Sequence, residues 1–242
     1  TAATFAETIG KAISLRPDRV ALYSFAFLPQ RMVNQRKINP EDLPVTETKY
    51  RLFATAVEMF TGAGYRQIGM DHFALPEDEL ARAQARGRLH RNFMGYTVKT
   101  SPDMIGLGMS SIGYIDNSFF QNHSELTSYH NAMDSQGLAV YRGMILSDDD
   151  LIRQYVISSL MCNFRLEFEA LQQKFGVAYR AYFANEHSRL NEFVTDGLIT
   201  TTEHELAVTP VGRTFVRNIA MAFDAYLEKD GPGTKPQFSR TI

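Results

Sequence analysis

Apolar residues recur along the 242-residue chain in two rhythms, one helical and one of short uninterrupted runs. Residues 5–15 carry the helical spacing. Val20-Ala21-Leu22-Tyr23-Ser24-Phe25-Ala26-Phe27 is an apolar run of strand length and predicts a buried strand. Pro29, Pro40 and Pro44, with the polar run Asn34-Gln35-Arg36-Lys37, predict a long loop over residues 30–45. Loops of that length are uncommon in compact domains unless they serve function. Thr46 is placed to cap a helix reaching about Ala63, with Gly64 ending it. A strand follows from Tyr65 to Phe73. Pro76 opens a short helix through about Arg86, and Glu77, Asp78 and Glu79 suit the positive end of its dipole. Phe93 to Val98 and Ile105 to Ile115 read as further extended segments. This strand–helix–strand order predicts parallel βα units and an α/β class.

The pattern changes in the second half. A helix is expected over residues 124–136 and a strand from Ala139 to Leu146. Ser147-Asp148-Asp149-Asp150 reads as a capping box opening a helix with apolar Leu151, Ile152, Tyr155, Val156 and Leu160. Helical patterns at 167–174 and 178–195 precede a hairpin formed by 197–201 and 206–209. Thr209-Pro210 then starts a last helix to about Leu227. Helix, helix, hairpin, helix is a winged-helix-like order, and the boundary between two units, 1–142 and 143–242, is expected near residue 143. From Glu228 a tail with Gly231-Pro232-Gly233 starts flexible, and Gln237 to Ile242 has enough apolar content to dock back. No repeat or low-complexity tract interrupts the chain.

Composition is that of an ordinary globular protein, 44% hydrophobic and 21% charged. The net charge of −2 gives no pull towards nucleic acid. The helix that would read DNA mixes Arg180, His187 and Arg189 with Glu186 and Glu192, so no nucleic-acid partner is expected. No apolar run approaches the roughly 18 residues of a membrane span. Thr1-Ala2-Ala3-Thr4-Phe5 has neither Met nor a signal pattern and reads as an internal segment of a longer chain. The single cysteine, Cys162, forms no internal disulfide, fits a reducing cytoplasm and reads as a buried core thiol.

Six histidines raise the question of metal, but neither HExxH nor CxxC occurs, and no protein-held metal site is expected. His123 and His130 share a helix face only if that helix starts early. Asp71 and His72 suggest an acid–base pair, yet strand neighbours point to opposite faces and do not share a pocket. Asp148 to Asp150 is explained by the helix start. Gly106-Leu107-Gly108-Met109-Ser110-Ser111-Ile112-Gly113 lacks the context of a phosphate loop and reads as backbone that a ligand or neighbouring strand approaches closely. No Ser/His/Asp or Cys/His order assigns a catalytic residue. Arg31, Arg36, Lys37, Arg88 and Arg91 are either solvated loop charge or carboxylate receptors.

Two strings stand out: Gly69-Met70-Asp71-His72-Phe73-Ala74 and Arg91-Asn92-Phe93-Met94-Gly95-Tyr96-Thr97. Added to them are Phe25 to Pro29, Gln35-Arg36-Lys37-Ile38, Gln121-Asn122, Arg142-Gly143, Leu160-Met161-Cys162-Asn163-Phe164 and Gln237-Phe238-Ser239-Arg240. In this order they resemble the oxygen-independent coproporphyrinogen III oxidases, radical S-adenosylmethionine enzymes of haem synthesis. The resemblance implies the last strands and helices of a partial (βα) barrel over 1–142, followed by the family's mostly helical C-terminal domain over 143–242. It implies a full-length enzyme that converts two propionates of coproporphyrinogen III to vinyls, giving protoporphyrinogen IX, by a 5′-deoxyadenosyl radical. S-adenosylmethionine and a [4Fe–4S] cluster would be its cofactors. The cluster's three closely spaced cysteines are absent here, so this portion alone is expected to be inactive. Ala26, Phe93, Met94 and Ile112 fall where the family contacts S-adenosylmethionine. Arg31, Arg36, Lys37, His72 and Arg91 are the expected pocket or carboxylate residues for a small tetrapyrrole. Met94 departs from the family's Gln, and Phe27 from a common His. A cytoplasmic monomer is expected. The competing expectation is a cluster-less relative that holds porphyrin or haem without turnover.

Overall fold

A computed structural model describes residues 1–227. The tail expected to dock back, with its Gln237-Phe238-Ser239-Arg240 string, lies outside the described residues. In the first half α1 (Ala2–Ser14) is followed by β1 (Arg19–Ala21), 3-10 turns at Val33–Lys37 and Pro40–Asp42, and α2 (Thr46–Gly62). Then come β2 (Arg66–Ile68), β3 (His72–Ala74), α3 (Glu79–Ala85), β4 (His90–Asn92) and β5 (Gly95–Thr97). A third group holds β6 (Ile112–Ile115), β7 (Ser118–Asn122), α4 (Leu126–Gln136) and β8 (Val140–Ile145). The rest is α5 (Asp148–Asn163), β9 (Arg165–Glu167), α6 (Phe168–Phe175), α7 (Tyr179–Tyr182), α8 (Ala184–Arg189) and α9 (Asn191–Thr195). It closes with β10 (Ile199–Thr201), β11 (Glu205–Val208), a 3-10 turn at Gly212–Phe215 and α10 (Val216–Met221).

Helices and strands mix as expected, but the described strands pair antiparallel throughout, in four small sheets ordered β1-β3-β2, β4-β5, β6-β7-β8 and β9-β11-β10. No closed barrel forms among the described residues. The parallel βα pairing fails locally because the run Tyr65 to Phe73 is not one strand. It reverses at Gly69-Met70-Asp71, so β2 and β3 become hairpin partners through Ile68 opposite His72. The strand expected over 20–27 is shorter too. Past Leu22, whose N–H donates to Asp71 O at 2.8 Å, the chain leaves the sheet. A side chain then stands in for a neighbouring strand: Gln35 Nε2 donates to Ala26 O at 3.0 Å, and its Oε1 accepts from the Leu28 N–H. The extended reading of 105–115 survives only in β6 and in a bridge between Met104 and Tyr114.

Core formation follows helical spacing. α2 turns Phe53, Ala56 and Phe60 inward, and Phe60 stacks on Phe73 of β3 at 4.8 Å with Ile9 of α1 in the same cluster. The expected Thr46 cap is displaced by one residue: Val45 is the N-cap, without a side-chain bond, and Thr46 starts the helix. α3 begins later than expected, because Asp78 caps it by accepting from the Leu80 N–H at 2.7 Å. In the second half the Ser147–Asp150 capping box is present in both directions. The hairpin β10–β11 also forms, with Ile199 opposite Val208, and β9 adds a third strand that periodicity did not show. The helix expected over 178–195 is broken into α7, α8 and α9 at Phe183 and Leu190, both buried, so packing overrides local continuity. The last helix is likewise shorter, a 3-10 turn and α10.

Arg153 of α5 organises this second core. Its guanidinium reaches Asp149 at 2.7 Å, Glu186 at 2.8 Å and the carbonyl of Phe223 at 3.0 Å, and it lies over the Phe183 ring. Tyr182 donates to the other oxygen of Asp149 at 2.6 Å. Cys162, at the end of the same helix, is buried, and burial pushes its thiol up to about 12. The thiol therefore stays protonated at pH 8 and is a poor nucleophile. Iodoacetamide should leave it unmodified in the native protein at pH 8 and alkylate it fully in denaturant. Native labelling as fast as that of a free thiol would contradict the burial.

Candidate functional site

The two strings that stand out in the sequence meet at one phenol. Gly69 turns with φ +58°, and a Cβ added there would fall onto the Tyr96 phenol, at its oxygen and Cζ. Only glycine serves, because the conformation is left-handed and the space is taken. Tyr96 Oη accepts from the Met70 N–H at 3.1 Å and donates to Met161 O at 3.4 Å. Desolvation pushes its phenol well above the ordinary tyrosine range, so it remains a donor. Around it, the His72 ring meets Tyr96 edge-on at 5.1 Å and Tyr23 at 5.9 Å, and Arg91 lies 5.6 Å above the Tyr96 ring.

Asp71 and His72 do share this site, contrary to the strand-alternation argument. Asp71 belongs to the turn before β3, and its Oδ1 lies 2.6 Å from His72 Nδ1. Alternation applies only inside a strand. The pair is half-buried at the start of the central strand, where the carboxylate orients the imidazole through Nδ1.

The string Leu160 to Phe164 also gains a reason. It is the last turn of α5, where helix carbonyls lack internal partners. Side chains from the first half supply them: Tyr96 bonds Met161 O, and Gln84 Nε2 donates to Cys162 O at 3.0 Å. Asn163 completes the junction, its amide pairing with both the N–H and the C=O of Leu89 at 3.1 and 3.2 Å. Tyr96, Gln84 and Asn163 were missed as a set, since residues 65 or more apart in the chain leave no local pattern.

Phe93 and Met94 form the tip of the β4–β5 hairpin. Phe93 packs edge-on against Phe119 of β7 at 5.5 Å, whereas Met94 is 90% exposed. Phe119 opposes Tyr114, and Gln121 opposes Ile112 in the same ladder. Directly opposed residues, and residues two apart, share a face, so Phe93 and Ile112 lie against one sheet face. The Arg142 guanidinium holds the Gln121 amide oxygen there, with Nε at 2.8 Å. Gly113 lets the Phe120 ring lie directly on the backbone of β6, the close strand approach expected of the glycine-rich run. Ala26 is half-buried on the segment held by Gln35. Arg31, Arg36 and Lys37 are exposed on the following turn, and Arg36 donates to Pro29 O at 3.1 Å. The structure thus gathers His72 and Arg91 at Tyr96, and Phe93 and Ile112 at the β6–β7 face. Among the described residues no hydrogen bond, ion pair or ring contact joins Arg31, Arg36 or Lys37 to either group. His123 stacks on Tyr141, His130 meets Tyr129, and among the described residues no three His, Cys, Asp or Glu side chains converge as for a metal ion.

An antiparallel, multi-sheet α/β chain with a helical second half and a histidine–arginine–tyrosine junction can be set beside known proteins. Residues 146–215 match the family model described as the HemN C-terminal domain. The oxygen-independent coproporphyrinogen III oxidase of Salmonella typhimurium is 43% identical over 242 residues, covering 100% of this chain and 52% of its own length. The Thermostichus vulcanus protein of the same name is 41% identical over 243 residues, which are 74% of its length. A solved structure titled "Coproporphyrinogen III oxidase (HemN) from Escherichia coli is a Radical SAM enzyme" superposes with TM-score 0.90 at 42% identity, over 93% of this chain and 52% of that one. The chain belongs to the oxygen-independent coproporphyrinogen III oxidase family, and it spans about half the length of most of the curated relatives it matches. Among the described residues no helix is long and apolar enough to cross a membrane.

Proposed function

We propose that the chain is part of an oxygen-independent coproporphyrinogen III oxidase, the enzyme that oxidatively decarboxylates two propionates of coproporphyrinogen III to vinyls and releases protoporphyrinogen IX. The similarity of relatives so named along the whole chain carries this reading. S-adenosylmethionine, cleaved at a reduced [4Fe–4S] cluster, would supply the 5′-deoxyadenosyl radical that takes hydrogen from the propionate. Three thiolates hold such a cluster, and this chain offers one cysteine, buried and protonated. Its residues do not fit the cluster, and no cluster step is assigned to them.

They do fit an adenosyl group and a polycarboxylate. Phe93 and Ile112 give an apolar wall, Ala26 a small neighbour, and Met94 a polarisable side chain that packs on a ligand without donating to it. His72, fixed by Asp71, presents one imidazole nitrogen to a tetrapyrrole, and Arg91 a bidentate donor to a propionate. Arg31, Arg36 and Lys37 face solvent without carboxylate partners among the described residues and would meet further propionates. The division near residue 143, the monomeric state, the cytoplasmic location and the absence of nucleic-acid and membrane partners belong to the same proposal.

The test is anaerobic turnover of the protein encoded by the native gene, reading protoporphyrinogen IX and 5′-deoxyadenosine together. Both products should form, while the 242-residue chain alone binds no iron and forms neither. A native gene product without three closely spaced cysteines, or one that makes no 5′-deoxyadenosine, overturns the assignment. The exposed thioether of Met94 favours a second reading, a haem or porphyrin binder. Saturable haem binding lost in Met94→Leu, together with absent turnover, would select it.

A further inference from the structure

A second basic region adjoins the apolar cluster that holds Tyr96, through Ala83 and Val98. α3 and the open end of the β4–β5 hairpin form an open cleft of about 420 Å³ lined by Glu79, Arg82, Arg86, Arg88, His90, Val98 and Thr100. Arg82 lies on α3, and Arg86, four residues on, is its C-cap, so both stand at the end of the same helix. Gly87 turns the chain so that Arg88 joins them. His90 starts β4 and Val98 follows β5, at the opposite end of the hairpin from Phe93 and Met94.

Three features separate this cluster from ordinary solvated charge. Its three exposed arginines border one open cleft rather than standing apart on a convex surface. Arg82, Arg86 and Arg88 make no ion pair among the described residues. The single acid of the lining, Glu79, is already engaged by Arg19 at 2.9 Å, beside the Arg19–Asp78 pair at 2.7 Å. Burial, and after it the charge of Lys174 on α6, lowers the pKa of His90. Three arginines and an imidazole beside one acid, in a chain whose net charge is −2, form a local excess of positive charge. Like charges held together without counter-ions repel. A ligand with several negative groups removes that repulsion, and the Thr100 hydroxyl adds a neutral donor.

We propose that this cleft binds a small polyanion bearing two or more closely spaced phosphoryl or carboxylate groups. A single anion would satisfy one guanidinium, whereas spaced anionic groups bridge α3 and the loop of Arg88 together. The site is separate from the tetrapyrrole reading, and its test reads binding alone.

The test is calorimetric titration of the 242-residue protein at low ionic strength with inorganic pyrophosphate in one arm and citrate in the other. Chloride at matched ionic strength is the control. Saturable binding of one equivalent of pyrophosphate or of citrate is expected, and the stronger arm assigns the anionic group. The exposed pair Arg82→Gln/Arg86→Gln, and separately Arg88→Gln, should each weaken it roughly tenfold or more, the loss of a charge-assisted contact. Circular dichroism of these surface variants should match the parent. The proposal is overturned if neither anion binds beyond the chloride control, or if both variants bind as the parent does.

Discussion

Replacing Arg153 with methionine should lower the unfolding free energy by about 3 kcal/mol, because the two carboxylates it neutralises stay behind. Glu186 is only 8% exposed and would be left buried without its partner, and Asp149 would keep, among the described residues, the Tyr182 hydroxyl. Methionine fills similar volume and keeps the packing on Phe183, so the loss measures charge rather than a hole. Urea titration followed by circular dichroism reads the effect. The double variant Arg153→Met/Glu186→Gln should be more stable than Arg153→Met alone, since it removes the stranded charge. A midpoint unchanged in Arg153→Met would mean that α10 and α8 are held to α5 by apolar packing alone.

Gly69→Ala should have a comparable effect, about 3 kcal/mol. Roughly 1 kcal/mol arises from a left-handed alanine, and the rest from forcing the Tyr96 ring aside, at the scale of overpacking a core. The displaced phenol gives up its bonds to Met70 and Met161, and the His72 and Arg91 positions that rest on its ring shift with it. Two measurements separate local from global damage: the urea midpoint, and the His72 ring proton signals by NMR. A variant with parent midpoint and unmoved His72 signals would show that the ring does not occupy the space over Gly69. Trimming the phenol to phenylalanine should not rescue the variant, because the ring carbons as well as the hydroxyl stand in the way.

What could be read in the sequence follows a physical divide. The Ser147–Asp150 box, the hairpin between Ile199 and Val208, and the inward face of α2 are set by residues within a few positions of one another, and composition exposes them. The pairing of β1 with β3, the bonds from Tyr96, Gln84 and Asn163 across the end of α5, and the breaks at Phe183 and Leu190 are set by neighbours distant in sequence. The turn at Gly69 lies between. Its glycine was visible, but reading the run as one strand hid both the reversal and the bond between Asp71 and His72. Family resemblance grouped the strings of Gly69, Tyr96 and Met161 without saying why they travel together; the Tyr96 phenol, packed on Gly69 and bonded to the turn of Met161, gives the reason.

The amide of Gln35, which occupies the backbone groups of Ala26 and Leu28, makes that segment unlike any strand of the fold. A ladder must be peeled bond by bond along two chains. Here a rotation within one side chain unlatches both bonds at once while the rest of the sheet stays closed. Position 35 thereby becomes a single-residue fastening for the strip that carries Ala26. A glutamate there would keep the acceptor for Leu28 and lose the donor for Ala26, leaving the strip fastened at one end.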